Sequence, residues 1–346
     1  MMPHTDSTNE DAWAYLRRIT GPALAVAPRD YLANIRANLE ADGVSAAVAR
    51  RDTPALFGFL LGVAQFQGIS DRNAAAFARR HGLVTWRDIA EALDARPSCR
   101  RLRAYWSFEG CGYRKSAGTC AEPSHIARCP LPQHPARKGS LIQAAYALFF
   151  FIRDVSGGDL IGWIDHRLAE ADPGVGSPHR AAIMGSALLE PLTNIHGIGE
   201  KVWSLALADL LLAADPARER WVTTGAGMVV VDTLLHNHLH RTGILRRFSA
   251  GHRYGPDCYA PDGCASIISG LAERIDAREF NPEFPACFPR WVQLAVWRFC
   301  STLELNICNG NLIEDCDRCR NARCPVYSEC ERLVVRAAQT TPSARL

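Results

Sequence analysis

The apolar positions of this chain gather in blocks of about nine to twelve residues. LFGFLLGVA begins at Leu56, LIQAAYALFFFI at Leu141, WSLALADLLLA at Trp203 and WVQLAVWRF at Trp291. Each block is longer than a typical strand, and the blocks predict buried helices. Only Val229, Val230 and Val231 form a strongly β-branched run, and in a helical context three such residues predict a short extended lead-in. The expected fold is nearly all-α, with no internal repeat and no long low-complexity segment. One stretch breaks the pattern: residues 99–139 are rich in Gly, Pro, Arg and Cys and separate the first block from the second as an irregular insertion.

Composition adds bounds. With 346 residues, 48% hydrophobic and 22% charged, the chain can bury an ample core in one or two domains. A net charge of +3 is too small to make the whole molecule a polyanion binder, so any basic footprint is local. Candidates are Arg241, Arg246 and Arg247, and in the tail Arg318, Arg320 and Arg323. The opening MMPHTDSTNEDA has no apolar signal core, and ALFFFI, the longest purely apolar run, is far short of a membrane span. The expectation is a cytoplasmic protein with no membrane partner.

Two segments carry candidate chemistry. Asn194 to Trp203 read NIHGIGEKVW, an apolar-x-Gly-Ile-Gly-x-Lys hairpin opening onto a helix. Gly197 and Gly199 permit a turn too tight for a Cβ, and the unpaired amides of the following helix start favour an anion such as DNA phosphate. Farther on, VVVDTLLHNHLHRTG places Asp232 at the start of a helix, where an acid also serves as an ordinary N-cap. In the tail, Cys308, Cys316, Cys319, Cys324 and Cys330 fall within 23 residues. Thiols so crowded, in a chain without a secretory signal, point to metal rather than disulfides. Ligation by thiolates alone suits a four-iron four-sulfur cluster or an all-cysteine zinc site.

Together these segments resemble the helix-hairpin-helix DNA glycosylases of the endonuclease III superfamily, whose hairpin reads Leu-Pro-Gly-Val-Gly-x-Lys and whose catalytic acid lies in Val-Asp-Thr-His. The resemblance covers about residues 56–73 and 191–243 and the tail. It implies two helical subdomains with a C-terminal iron-sulfur loop. On this match Lys201 is the lysine of the bifunctional members, Asp232 the shared catalytic aspartate, and Gly197 and Gly199 the DNA-binding hairpin. Gln65, with Gln67 as its rival, falls on the residue that fills the gap left by an extruded base. The tail ends in RCPVYSEC, similar to the Cys-Pro-x4-Cys closure of the family's C-x6-C-x2-C-x5-C loop. Here the spacings are x7, x2, x4 and x5, so one cysteine is surplus. Matching from the C-terminal end takes Cys319, Cys324 and Cys330 with Cys316 or Cys308; matching from the front takes Cys308, Cys316, Cys319 and Cys324. The chain departs from the family at Asn194, Ile195 and His196, where Leu-Pro usually stands, and at Leu234, where His often stands. Lys201 and Asp232 are also 31 positions apart, through an apparent loop insertion around DPARERWVTTGAGM.

The activity implied is that of a DNA glycosylase with abasic-site lyase activity, which flips a modified or damaged base out of double-stranded DNA and excises it as a monomer. If Lys201 points away, Asp232 alone implies a monofunctional enzyme. A non-catalytic iron-sulfur DNA-binding protein is the alternative, and a zinc-bearing or RNA-directed module is a third reading. The match divides the chain into 1–55, 56–243 and 244–346, and leaves the insertion at 99–139 unaccounted for. Cys99, Cys111, Cys120 and Cys129 there offer a second metal site or buried reduced thiols. His236 and His240 have the i, i+4 spacing of a chelating pair, though core or DNA-facing roles are preferred. Cys258, Cys264, Cys287 and Cys300 lack a ligand spacing and are read as free thiols.

Overall fold

A computed structural model describes residues 5–64, 84–96, 99–106, 140–308 and 312–336, together with residues 76, 79, 108, 111, 112, 124 and 129. Among them the chain is helical and no strand occurs. No helix among the described residues is long and apolar enough to cross a membrane. The chain forms two compact units, 32–228 and a discontinuous one that joins residues 1–31 to 229–346. Segmentation by motif order (1–55, 56–243, 244–346) follows the chain, whereas compactness joins its two ends.

In the 32–228 unit, α2 (Tyr31–Ala41), α3 (Val44–Arg50), α4 (Thr53–Ala64) and α5 (Trp86–Asp94) lead to α6 (Ser140–Asp154), α7 (Leu160–Ala171), α8 (Arg180–Thr193), α9 (Glu200–Ala213) and α10 (Glu219–Gly227). Helix α9 is buried on nearly every side, as its apolar sequence requires. The segment read as a loop insertion after it is in fact α10. Trp221 is buried, its indole N–H donates to Asp165 at 2.7 Å, and Gly225 lets α10 lie directly on the α9 backbone. An added Cβ at Gly225 would stand 2.8 Å from the Ala208 carbonyl oxygen. At the other end of α10, Glu219 shares the buried Arg180 guanidinium with Asp172.

The second unit contains α1 (Thr5–Ala25), α11 (Thr233–Arg241), α12 (Ile244–Arg247), α13 (Cys264–Ala272) and α14 (Pro289–Cys300), followed by an irregular tail. Helix α14 is the hub, since α1, α11 and α13 all pack on it. Trp291, Phe288 and Phe299 supply buried bulk there. Polar contacts tie the N-terminal helix to the α11–α12 corner and, through Arg18 and Glu329 at 3.1 Å, to the tail. The Tyr15 hydroxyl donates to the Thr242 carbonyl at 2.6 Å, and Arg247 lies over the Tyr15 ring at 3.9 Å.

Candidate functional site

The hairpin is built in the 32–228 unit. Helix α8 closes when the Ile195 amide donates to the Leu192 carbonyl at 3.0 Å. Ile195 and Ile198 are buried and pin the turn from within. Between them Gly197 has φ 83°, a left-handed conformation that an L side chain enters only at a penalty. Gly199 then takes an extended φ of −87° as the N-cap of α9, and no side chain caps that helix start. Gly197, Gly199 and Lys201 are exposed, so the tip and first turn present backbone N–H groups to solvent. Glu200, beside Lys201, is half-buried, and burial pushes its carboxyl above the usual range.

Asp232 belongs to the other unit. Its half-buried carboxylate accepts the Leu235 amide at 2.9 Å, which makes it the N-cap of α11. Residues 228–232 lead in without helix or strand, and the Val231 amide donates to the Tyr259 hydroxyl at 3.0 Å. Nearby, the Tyr254 phenol is held above its ordinary value, by burial first and then by the Asp232 charge.

Helix α11 continues into two Cys/His groups, each close enough to hold a metal ion. In the first, ligand atoms of His236, His252, Cys258 and Cys264 all lie within 4.8 Å of one another; in the second, those of His238, Cys300 and Cys308 do. His236 and His238 are buried, so neither is DNA-facing. His240, the other half of the i, i+4 pair, turns instead to the Val334 carbonyl with Nε2 at 2.9 Å. Cys258, Cys264 and Cys300, read from the sequence as lacking ligand spacing, are therefore grouped with histidines. The side-chain contact between Cys258 and Cys264 draws the Cys258 thiol below its usual range, while the same contact and burial push Cys264 up.

Four of the five tail cysteines, Cys308, Cys319, Cys324 and Cys330, line one small apolar cavity, and Cys316 lies exposed outside it. This is the C-terminal match with Cys308 as the fourth thiol. The second Cys/His group backs the cavity at Cys308, whose thiol is held well below its usual range by hydrogen bonds from Cys300 and, after it, His238. Arg241 organises the rest. Its buried guanidinium donates to the carbonyls of Asp317 (2.8 Å), Ile313 (3.0 Å), Glu314 (3.1 Å) and Leu333 (3.4 Å). Arg241 also lines the cavity, and its Nε is buried with no hydrogen-bond partner among the described residues.

That geometry corrects the footprint read from the sequence. Arg241 is an internal strut, and Arg246 and Arg247 are paired with Glu331 at 2.7 and 3.0 Å. Arg318, Arg320 and Arg323 are exposed. In the insertion, Cys99, Cys111 and Cys129 belong to neither Cys/His group, and Cys120 lies outside the described residues, as do Gln65 and Gln67. Comparison with protein-family models, with curated proteins and with solved structures finds no match to this chain.

Proposed function

We propose that the protein is a DNA glycosylase with abasic-site lyase activity, of the helix-hairpin-helix kind, carrying a four-iron four-sulfur cluster in its tail. The observation that carries this reading is the exposed two-glycine turn from Ile195 to Gly199. It offers uncapped amides at the start of α9, with Lys201 in the first turn. Such a terminus suits a phosphate of the DNA backbone.

Cys308, Cys319, Cys324 and Cys330 would hold the cluster. Four thiols around one cavity that Arg241 also lines, its Nε–H without a partner among the described residues, fit an anionic group whose sulfur atoms accept hydrogen bonds. When bound, the cluster serves to order the tail, keeping Arg318, Arg320 and Arg323 in place for phosphate contacts.

In the reaction, a flipped nucleotide loses its base as the C1′–N bond breaks and the bonding pair leaves with the base. The Asp232 carboxylate stabilises the positive character left on the sugar. The Lys201 nitrogen attacks C1′ and forms a C–N bond, its proton passing to the departing base; opening of the sugar then gives the Schiff base that permits strand scission.

The use of Asp232 as an N-cap supports a second reading, in which hairpin and cluster bind DNA without chemistry. Borohydride trapping on duplex DNA containing one abasic site separates the two. A covalent adduct abolished by Lys201→Ala supports the lyase; base release that needs Asp232 without any adduct leaves a monofunctional glycosylase. DNA binding with neither leaves the non-catalytic reading.

A further inference from the structure

We infer that His236, His252, Cys258 and Cys264 form a structural zinc site, separate from the tail cluster. All four ligand atoms lie within 4.8 Å of one another, and His236, Cys258 and Cys264 are buried. His236 Nδ1 is 3.5 Å from both Cys258 Sγ and Cys264 Sγ, and His252 Nε2 is 3.4 Å from Cys264 Sγ. A tetrahedral zinc ion with Zn–S of about 2.3 Å and Zn–N of about 2.05 Å sets each N···S edge at about 3.5 Å. The observed separations match that edge. A two-iron cluster divides its ligands between two metals and spreads them farther apart, so this geometry belongs to one ion.

The surroundings are arranged for ligation. His252 Nδ1 stands 2.6 Å from the Ala250 carbonyl, an acceptor only, so the ring's proton sits on Nδ1 and Nε2 keeps a lone pair directed at the cluster of thiols. Gly263, the residue before Cys264, is where the start of α13 meets Cys258. A Cβ there would lie 2.7 Å from the Cys258 carbonyl carbon and oxygen, so glycine is what lets the two cysteines meet. The two thiols are not joined as a disulfide. Two thiolates and two neutral imidazoles around Zn²⁺ sum to no net charge, the cheapest way to keep four such groups buried.

Four protein ligands leave no open coordination position, which makes the site structural. It ties α11, the 250–259 loop and the head of α13 together, and His236 sits one helical turn beyond Asp232. The zinc clamp thus fixes the first turn of the helix that Asp232 caps. This inference does not depend on the glycosylase reading, because metal content is measured without DNA.

The test is zinc, iron and acid-labile sulfide content of the purified full chain, wild type against Cys258→Ser and Cys264→Ser. Expected are about one zinc per wild-type chain and a loss of about tenfold or more in either variant, with iron and sulfide kept. Wild-type protein without zinc, variants that retain it, or variants that lose iron and sulfide with zinc unchanged would each overturn the assignment. Should the variants fail to fold, Co²⁺ exchanged into the wild type decides. Tetrahedral d–d bands with thiolate charge transfer, displaced by Zn²⁺, support the site, and an octahedral spectrum without thiolate bands overturns it.

Discussion

Two glycines two positions apart in the same turn should separate folding from DNA contact. Gly197 has φ 83°, so Gly197→Ala forces an L residue into the left-handed region, a penalty of about 1–2 kcal/mol. Part is offset by the smaller conformational freedom of alanine in the unfolded chain, about 0.5 kcal/mol. The net loss of about 1 kcal/mol lowers Tm by roughly 2–4 °C. Gly199 is different. Its φ of −87° and ψ of 167° suit any residue, and an added Cβ meets nothing within 4 Å. Gly199→Ala strains no backbone and loses only a favoured N-cap residue, so its cost in stability should be no more than about 1 kcal/mol. If a phosphate docks on the turn, however, that methyl group stands where the DNA backbone has to approach. A tenfold weaker Kd, about 1.4 kcal/mol, is the expected result. Fluorescence anisotropy with duplex DNA at one fixed salt concentration, run beside thermal melts, reads both quantities. Gly58→Ala in the exposed face of α4, where a Cβ also meets open space, serves as the control that changes neither binding nor fold adversely. Wild-type DNA affinity in Gly199→Ala would refute the hairpin as the DNA contact, whatever Gly197→Ala does.

Other substitutions probe the rest of the chain. Gly225→Ala drives a Cβ to 2.8 Å from backbone atoms of Ala208 and Leu212, and rigid helices cannot yield there, so urea unfolding should show a loss of about 1–3 kcal/mol. Asp232→Asn keeps an N-cap of equal quality and should hold stability while abolishing base release; Asp232→Ala should lose about 1 kcal/mol as well. Arg241→Met strands four carbonyls of the tail and should lower stability by about 3 kcal/mol, with a drop in bound iron and sulfide on metal analysis. Asp172 is held well below the usual carboxylate range by hydrogen bonds from Arg180 and then Arg220. A depressed folded pKa contributes stability that is complete above the unfolded value of about 3.9 and drains away as pH falls toward the folded one. The stability gap between wild type and Arg180→Gln in denaturant titrations should thus be equal at pH 7 and pH 5 and narrow only below about pH 4.

The helices that could be read in advance are those whose burial shows in composition. Helix α9 is apolar all round, and α14 repeats Trp, Val, Phe at helical spacing, so their sequences announce them. Helix α10 escaped because ERWVTTGAG mixes polar, β-branched and glycine residues. Its burial rests on a few close contacts, Trp221 to Asp165 and Gly225 to the α9 backbone, rather than on a broad stripe. Gly197 could be read because a left-handed turn leaves a glycine in the sequence. The Cys/His group could not, since its members are separated by fifteen, five and five residues and are brought together by a helix, a loop and a helix start. Arg241 looked like one of three surface cations because nothing local marks a buried arginine. Its partners are carbonyls some seventy to ninety positions away.

Helix α11 explains why these hidden features fall together. A helix turns about 100° per residue, so His236 and His238 point to opposite sides, one toward Cys258 and Cys264 and the other toward Cys300 and Cys308. Asp232 caps one end and Arg241 holds the tail at the other. A helix of nine residues, fixed on two faces and at both ends, has little freedom to slide or rotate. Disturbance of either thiol set is then transmitted to Asp232 by a rigid element of less than three turns. Separate metal-content and base-release measurements on Cys258→Ser and Cys324→Ser would therefore be expected to differ in which metal is lost, and to agree in a weakened activity.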